Sequence, residues 1–249
     1  DGDWEGTQFS KATRHFDNVN AYFGSGGDLQ ILHDGTNSSI KNHTGDLVIE
    51  QNADDKDIIF KSDNGSGGTE TYFRLDGSAS SGNPITNFPD NSFLSFGSSH
   101  DFSIYHDSTN TYIANSTNNL YIQNNADNAD VIFRSDDGSG SLDTYFYLDG
   151  SLADGTNLYT VFPDNSRIRF GDGLDLDIHH DGSNSYINQT GTGNLYIQQT
   201  VDGADMIFKN DDGSGALHEY MRLDGGMYHV IFSKSTQHAD GAYGKFGNG

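Results

Sequence analysis

Three histidines stand at matching places in the chain, each followed by an aspartate: His33-Asp34, His106-Asp107 and His180-Asp181. Imidazole and carboxylate are ligand types for transition metals, and a protonated imidazole also holds anions. Were three copies of the chain to share an axis, one such histidine per copy would bring three imidazoles together. The plainer expectation is a strand-end histidine bonded to its own turn or to a neighbouring chain, and no cofactor is expected. Asp136-Asp-Gly-Ser-Gly140 and Asp211-Asp-Gly-Ser-Gly215, with Asp63-Asn-Gly-Ser-Gly67 ahead of them, cluster the oxygens that Ca2+ favours. Their spacing matches neither an EF-hand nor a calcium-binding nonapeptide repeat, and Asp-Gly is in any case a good turn former. Tyr112, Tyr121, Tyr186 and Tyr196 lie beside expected loops and are candidates for stacking on the sugar rings of a glycan. Cross-strand packing would use them equally well. No nucleophile elbow, P-loop or His-Glu-x-x-His is present, and the carboxylates are too numerous to single out a glycosidase pair. No catalytic residue is assigned, and the chain is expected not to be an enzyme.

The elements that must position these groups repeat. Asp28-Leu-Gln-Ile-Leu-His-Asp-Gly-Thr-Asn-Ser-Ser-Ile40 returns at Asp101–Ile113 and again at Asp175–Ile187, offset by 73 and then 74 residues. Landmarks downstream keep their order. Leu47-Val-Ile49 answers to Leu120-Tyr-Ile122 and Leu195-Tyr-Ile197; Ile58-Ile-Phe60 to Val131-Ile-Phe133 and Met206-Ile-Phe208; Leu75-Asp-Gly77 to Leu148-Asp-Gly150 and Leu223-Asp-Gly225. Phe-Gly opens each unit at Phe23-Gly24, Phe96-Gly97 and Phe170-Gly171, and reappears at Phe246-Gly247. The repeats are therefore 23–95, 96–169 and 170–245, the last with a divergent end; 1–22 close a preceding repeat and 246–249 begin a following one. The expected setting is a window onto a longer array, held together by contacts between neighbouring units rather than by one core.

Composition sets the class. Asp and Glu number 36 against 13 Lys and Arg, for a net charge of −23. A nucleic-acid partner, which needs a basic face to displace counterions, is not expected. Leu, Ile, Val and Phe together make 53 of 249 residues and never run beyond three in a row, far short of the roughly 20 that a membrane helix needs. Membrane insertion is not expected, and with no cysteine there is neither disulfide nor thiolate site. Asp outnumbers Glu 32 to 4, beside 23 Asn and 31 Gly, so turn formers abound while helix formers are scarce. Aromatic residues at 12% are too many for a solvated tail. The fold class read from this is all-β, with short strands and tight turns.

Alternation then assigns faces. Leu29, Ile31 and His33 should point inward, as should Phe102, Ile104 and His106, and Leu176, Ile178 and His180. A second strand should place Leu47 and Ile49 inward, with Leu120/Ile122 and Leu195/Ile197 as its equivalents. A later one carries Phe73 and Leu75, Phe146 and Leu148, Met221 and Leu223. Each repeat thus has about six strands with two or three inward apolar side chains apiece, too few to fill the roughly 10 Å between packed sheets. The favoured solution is an elongated fibre in which identical chains intertwine as a homotrimer, a triple β-helix or β-prism; a single-chain β-solenoid is the alternative.

The same motifs, together with Phe88-Pro-Asp-Asn91 and Phe162-Pro-Asp-Asn165, resemble repeats in tail fibres and related virion structural proteins of tailed bacteriophages, especially those infecting aquatic bacteria. The resemblance covers essentially the whole chain. It departs at His15-Phe-Asp-Asn18, which lacks the proline, and at His238-Ala-Asp-Gly241, which lacks both Phe and Pro. It implies an extracellular virion appendage whose partners are its own copies, other tail proteins and a host-surface glycan. A secreted bacterial adhesin or filament subunit and a glycan-depolymerising tailspike are the alternatives.

Overall fold

The computed structural model describes residues 12–79 and 82–236. His238-Ala-Asp-Gly241 and Phe246-Gly247, on which the end of the last repeat was read, lie outside them. Contacts divide the chain into two units, 1–121 and 122–249. In the first, β1 (Ala21–Phe23), β2 (Leu29–His33) and β3 (Ser38–Asn42) form one three-stranded sheet; β4 (Ile58–Asp63), β5 (Thr69–Leu75) and β6 (Thr86–Asn87) form a second. The third consists of β7 (Leu94–Phe96), β8 (Phe102–His106) and β9 (Thr111–Asn115). The second unit holds β10 (Val131–Asp136), β11 (Leu142–Asp149) and β12 (Tyr159–Val161), then β13 (Arg167–Phe170), β14 (Leu176–His180) and β15 (Ser185–Gln189). Its last sheet is β16 (Met206–Asp211), β17 (Leu217–Asp224) and β18 (His229–Phe232). Every pairing joins consecutive strands antiparallel, and the described residues include no helix. The fold is all-β.

Two sheet types alternate, and the repeated motifs are their joints. In the first type, the Phe-Gly step turns β1 into β2: Gly24 sits at φ +85°, and a Cβ there would come within 2.4 Å of Asp28 Oδ2. The second type is a longer hairpin with a bulge between Phe60 and Lys61, repeated between Phe133 and Arg134 and between Phe208 and Lys209. Beyond the bulge the rings meet. Phe60 stacks on Phe73 at 4.5 Å and Phe73 on Phe88 at 5.8 Å; Phe133, Phe146 and Phe162 do the same at 4.5 and 5.6 Å. This is why Phe precedes Pro-Asp-Asn: its ring completes the row.

The base of each long hairpin is closed by the Asp-Gly step. The N–H of Gly77, Gly150 and Gly225 donates to Asp57, Asp130 and Asp205 respectively, at 3.0 Å each time. The backbone passes so close that a Cβ on Gly150 would lie 2.4 Å from the carbonyl oxygen of Ala129. Main chain cannot yield as a flexible side chain would. Gly150→Ala is therefore expected to cost about 1–3 kcal/mol, the range for overpacking, read as a lowered Tm. An unchanged Tm would show that the hairpin base is free to move.

One expectation is corrected: the Leu47–Ile49, Leu120–Ile122 and Leu195–Ile197 segments form no strand within the chain. The faces carrying Ile31, Ile104 and Ile178 are only partly covered within the single chain. Ile31 is paired with Ile40 across the sheet, and Leu94, Ile104 and Ile113 align in the next, but Ile40, Ile113 and Ile187 are each 60% exposed. Packing within the chain instead favours the opposite face, where Phe93, Tyr105 and Tyr112 stack in one sheet and His179 and Tyr186 in another. Rings reach each other across a bare sheet, whereas Ile needs a second layer. Among the described residues no apolar side chain is buried at all; the buried residues are Asp76, Asp149 and Asp177.

Candidate functional site

Each candidate histidine ends a strand and faces a hydroxyl across the hairpin. His33 Nδ1 lies 3.1 Å from Ser38 Oγ, His106 Nδ1 3.2 Å from Thr111 Oγ1, and His180 Nδ1 3.1 Å from Ser185 Oγ. Their backbone carbonyls accept the N–H of Asn18, Asn91 and Asn165, which docks the Phe-(Pro)-Asp-Asn turn onto the strand end. The following aspartate caps the hairpin: Asp34 Oδ1 accepts the N–H of Thr36 and Asn37 at 2.9 and 2.7 Å, and Asp107 and Asp181 repeat both bonds at the same distances. The Asn37 amide, followed by that of Thr36, holds the Asp34 carboxyl below the usual range; Asn110 and Asn184 lead the same effect at Asp107 and Asp181. His-Asp-x-x-Asn thus builds a turn in each repeat, with Gly35 and Gly182 at the third position and Ser108 there in the middle repeat. The three histidines sit in three separate sheets, and no cluster of His, Asp or Glu able to hold a metal ion occurs among the described residues.

The acidic glycine loops are built likewise. Asp63 accepts the N–H of Gly65, and Asn64 Oδ1 accepts Ser66 N–H, Ser66 O–H and Gly68 N–H. Asp137 and Asp212 take the equivalent serine bonds, and those serine bonds lower both carboxyls. Oxygens turned toward their own backbone amides are committed to the turn.

The four tyrosines divide into two pairs. Tyr112 stacks on Tyr105, and Tyr186 on His179, both at 4.8 Å, so each ring has one face already occupied. Tyr186 O–H donates to Asp181 at 2.9 Å, and hydrogen bonding to the carboxylate raises its pKa, as Asp107 does for Tyr112. Tyr121 and Tyr196 are 76% and 72% exposed, within the segments that form no strand.

One feature of the first unit was not read from the sequence. A cleft of about 780 Å3 opens between the long hairpin and the polar face of the β7–β8 sheet, lined among others by Glu70, Tyr72, Asp90, Phe93 and His100. Tyr72 is the bulge residue, held by its O–H donating to the Asp63 carbonyl at 2.7 Å. Ser92 O–H donates to the Tyr72 carbonyl at 2.6 Å and joins hairpin to turn. Neither Glu70 nor Asp90 has an ion-pair partner among the described residues. The second unit fills the matching place with charge. Where the first has Phe93, Ser95 and Ser103, it has Arg167, Arg169 and Asp177, with Arg167 Nη1 2.6 Å, Arg169 Nε 3.3 Å and His179 Nδ1 2.9 Å from the Asp177 carboxylate. Burial pushes the Asp177 carboxyl up, but the Arg167 bond and the surrounding positive charge outweigh it and hold the group low. Those three differences, with Tyr105 in the place of His179, are the signal that would have pointed to the cleft.

No family model, curated protein or solved structure matches the chain.

Proposed function

We propose that this chain is a structural segment of a tail-fibre shaft, an extracellular virion appendage assembled from three identical copies and joined at its ends to other tail proteins. One observation carries the reading: the chain folds into regular sheets without burying a single apolar side chain among the described residues. A folded monomer of 27.1 kDa exposes roughly 11,000 Å2, whereas this chain exposes 20690 Å2. The excess corresponds to surface that assembly removes from water, and the recurrent Ile rows are its regular part. The number three comes from the resemblance to phage fibres, as does the setting. Binding pockets and catalytic groups are not needed for such a role, which is reach and stiffness.

Host-surface glycan attachment is a second reading, favoured by the cleft of the first unit. Tyr72 and Phe93 are half-exposed rings, and Glu70 and Asp90 offer acceptors for vicinal hydroxyls.

The test is mass in solution. Sedimentation equilibrium of the chain at micromolar concentration is expected to give three times 27.1 kDa. A folded single copy that persists on dilution would overturn the reading.

A further inference from the structure

We infer that Leu47-Val48-Ile49, Leu120-Tyr121-Ile122 and Leu195-Tyr196-Ile197 are intermolecular strands, each pairing with the equivalent segment of neighbouring copies of this chain. The inference rests on the self-assembly proposed above and names the elements that carry it.

The three segments share four properties. Each consists of strong β formers. Each recurs at the same point of its repeat, 73 and then 75 residues on. None of the nine residues has a positive φ, so the backbone is free to adopt a strand. Finally, the backbone N–H and C=O groups of 46–50, 119–123 and 194–198 form no hydrogen bond with any described residue. All nine side chains are exposed, between 42 and 76%. An apolar β-forming segment with a free ladder edge is a template for another strand.

The occupant is a second copy for three reasons. The surface in excess of a folded monomer, on the order of 10,000 Å2, is about ten times what one partner contributes to a standard interface, so the occupant must run the length of the chain. It must also present matching elements at 73- and 75-residue intervals, which an identical chain does by construction. And in a chain of net charge −23 these triplets carry no charge, so they are places where like-charged copies can approach.

The first and third residues are Leu and Ile in every repeat, while the middle one changes from Val to Tyr. With a two-residue period, Leu and Ile share the face turned to the other copies, and the middle side chain faces outward.

The chain has no cysteine, so single-cysteine variants give a clean readout. Leu47→Cys, Val48→Cys and Ile49→Cys are compared under mild oxidation with Ser66→Cys in an exposed loop, each variant's mass being checked by sedimentation. Positions 47 and 49 are expected to form interchain disulfides at least about tenfold faster than 48 and 66, because neighbouring copies hold them at high effective concentration. Amide exchange on the unsubstituted protein provides the second measurement: 46–50, 119–123 and 194–198 are expected to be protected about 100-fold or more. An oligomer in which these amides exchange freely and the three positions cross-link no faster than Ser66→Cys overturns this inference and leaves the shaft reading standing. A chain that sediments as a single copy overturns both.

Discussion

Changing Ile40, Ile113 and Ile187 together to Asp is expected to reduce the proposed assembly to single chains with little remaining β structure. These residues occupy the outer end of the Ile row in β3, β9 and β15, and in the lone chain each is 60% exposed. Were that exposure final, a polar replacement would be nearly neutral. If instead partner copies cover the row, each Ile contributes roughly 1.5–3 kcal/mol of burial. Three per chain then amount to about 5 kcal/mol or more, over a thousandfold in association, before the cost of enclosing the new carboxylates is counted. Leu158→Asp is the control, since Leu158 is 88% exposed and lies outside the strands. Sedimentation and far-ultraviolet circular dichroism read both changes. A triple variant that keeps the wild-type mass and spectrum would show that the Ile rows face water.

How far the sequence could be read depends on what each signal encodes. Repetition at 73 and 74 residues identified the joints, because turn chemistry is local: Asp34 reaches amides two and three residues on, and Gly24 needs only its neighbour Asp28. Alternation correctly placed Ile31 beside Leu29, and Phe73 beside Leu75. It said nothing about which face is covered, for that depends on what lies opposite. Hence Tyr105 and His179, on the face opposite the Ile104 and Ile178 rows, pack within the chain, while Ile104 does not. The Leu47–Ile49 segment exposes the same limit: its residues have strand character, but a strand needs a partner, and the pattern does not say on which chain. The cleft beside Tyr72 escaped for the opposite reason. It arises where Phe93 stands in the place of Asn20 and Arg167, and a search for recurrence passes over such variable positions.

Acid should strengthen the proposed assembly before destroying it. At pH 7 each copy carries −23, so the proposed trimer carries −69, and this charge would oppose association over distances set by the ionic strength. Lowering the pH toward 4.3, where the chain's net charge vanishes, removes that repulsion, as does added salt. The turns respond in the opposite sense and later. Asp34, Asp76, Asp107, Asp137, Asp149, Asp154, Asp177, Asp181 and Asp212 all have carboxyls held below the ordinary value of 3.8. For Asp76 the Ala79 amide leads, followed by the Ser78 hydroxyl; for Asp149 it is the Leu152 amide; for Asp154 the Asn157 amide and side chain carry it down to about 2. A carboxyl lowered in the folded state stabilises fully above its unfolded value and loses that contribution as the pH falls through its folded one. The caps are therefore intact near pH 4.5 and fail between about pH 3.8 and 2. Thermal denaturation at low salt is expected to give a higher midpoint at pH 4.5 than at pH 7, with collapse of the midpoint by pH 2. Adding salt at pH 7 should recover much of the first difference, because screening acts on the same repulsion. A midpoint that falls steadily from pH 7 to pH 4.5 would mean that the charge is not what limits assembly, and that some carboxylate pairing above pH 4.5 holds the copies together instead.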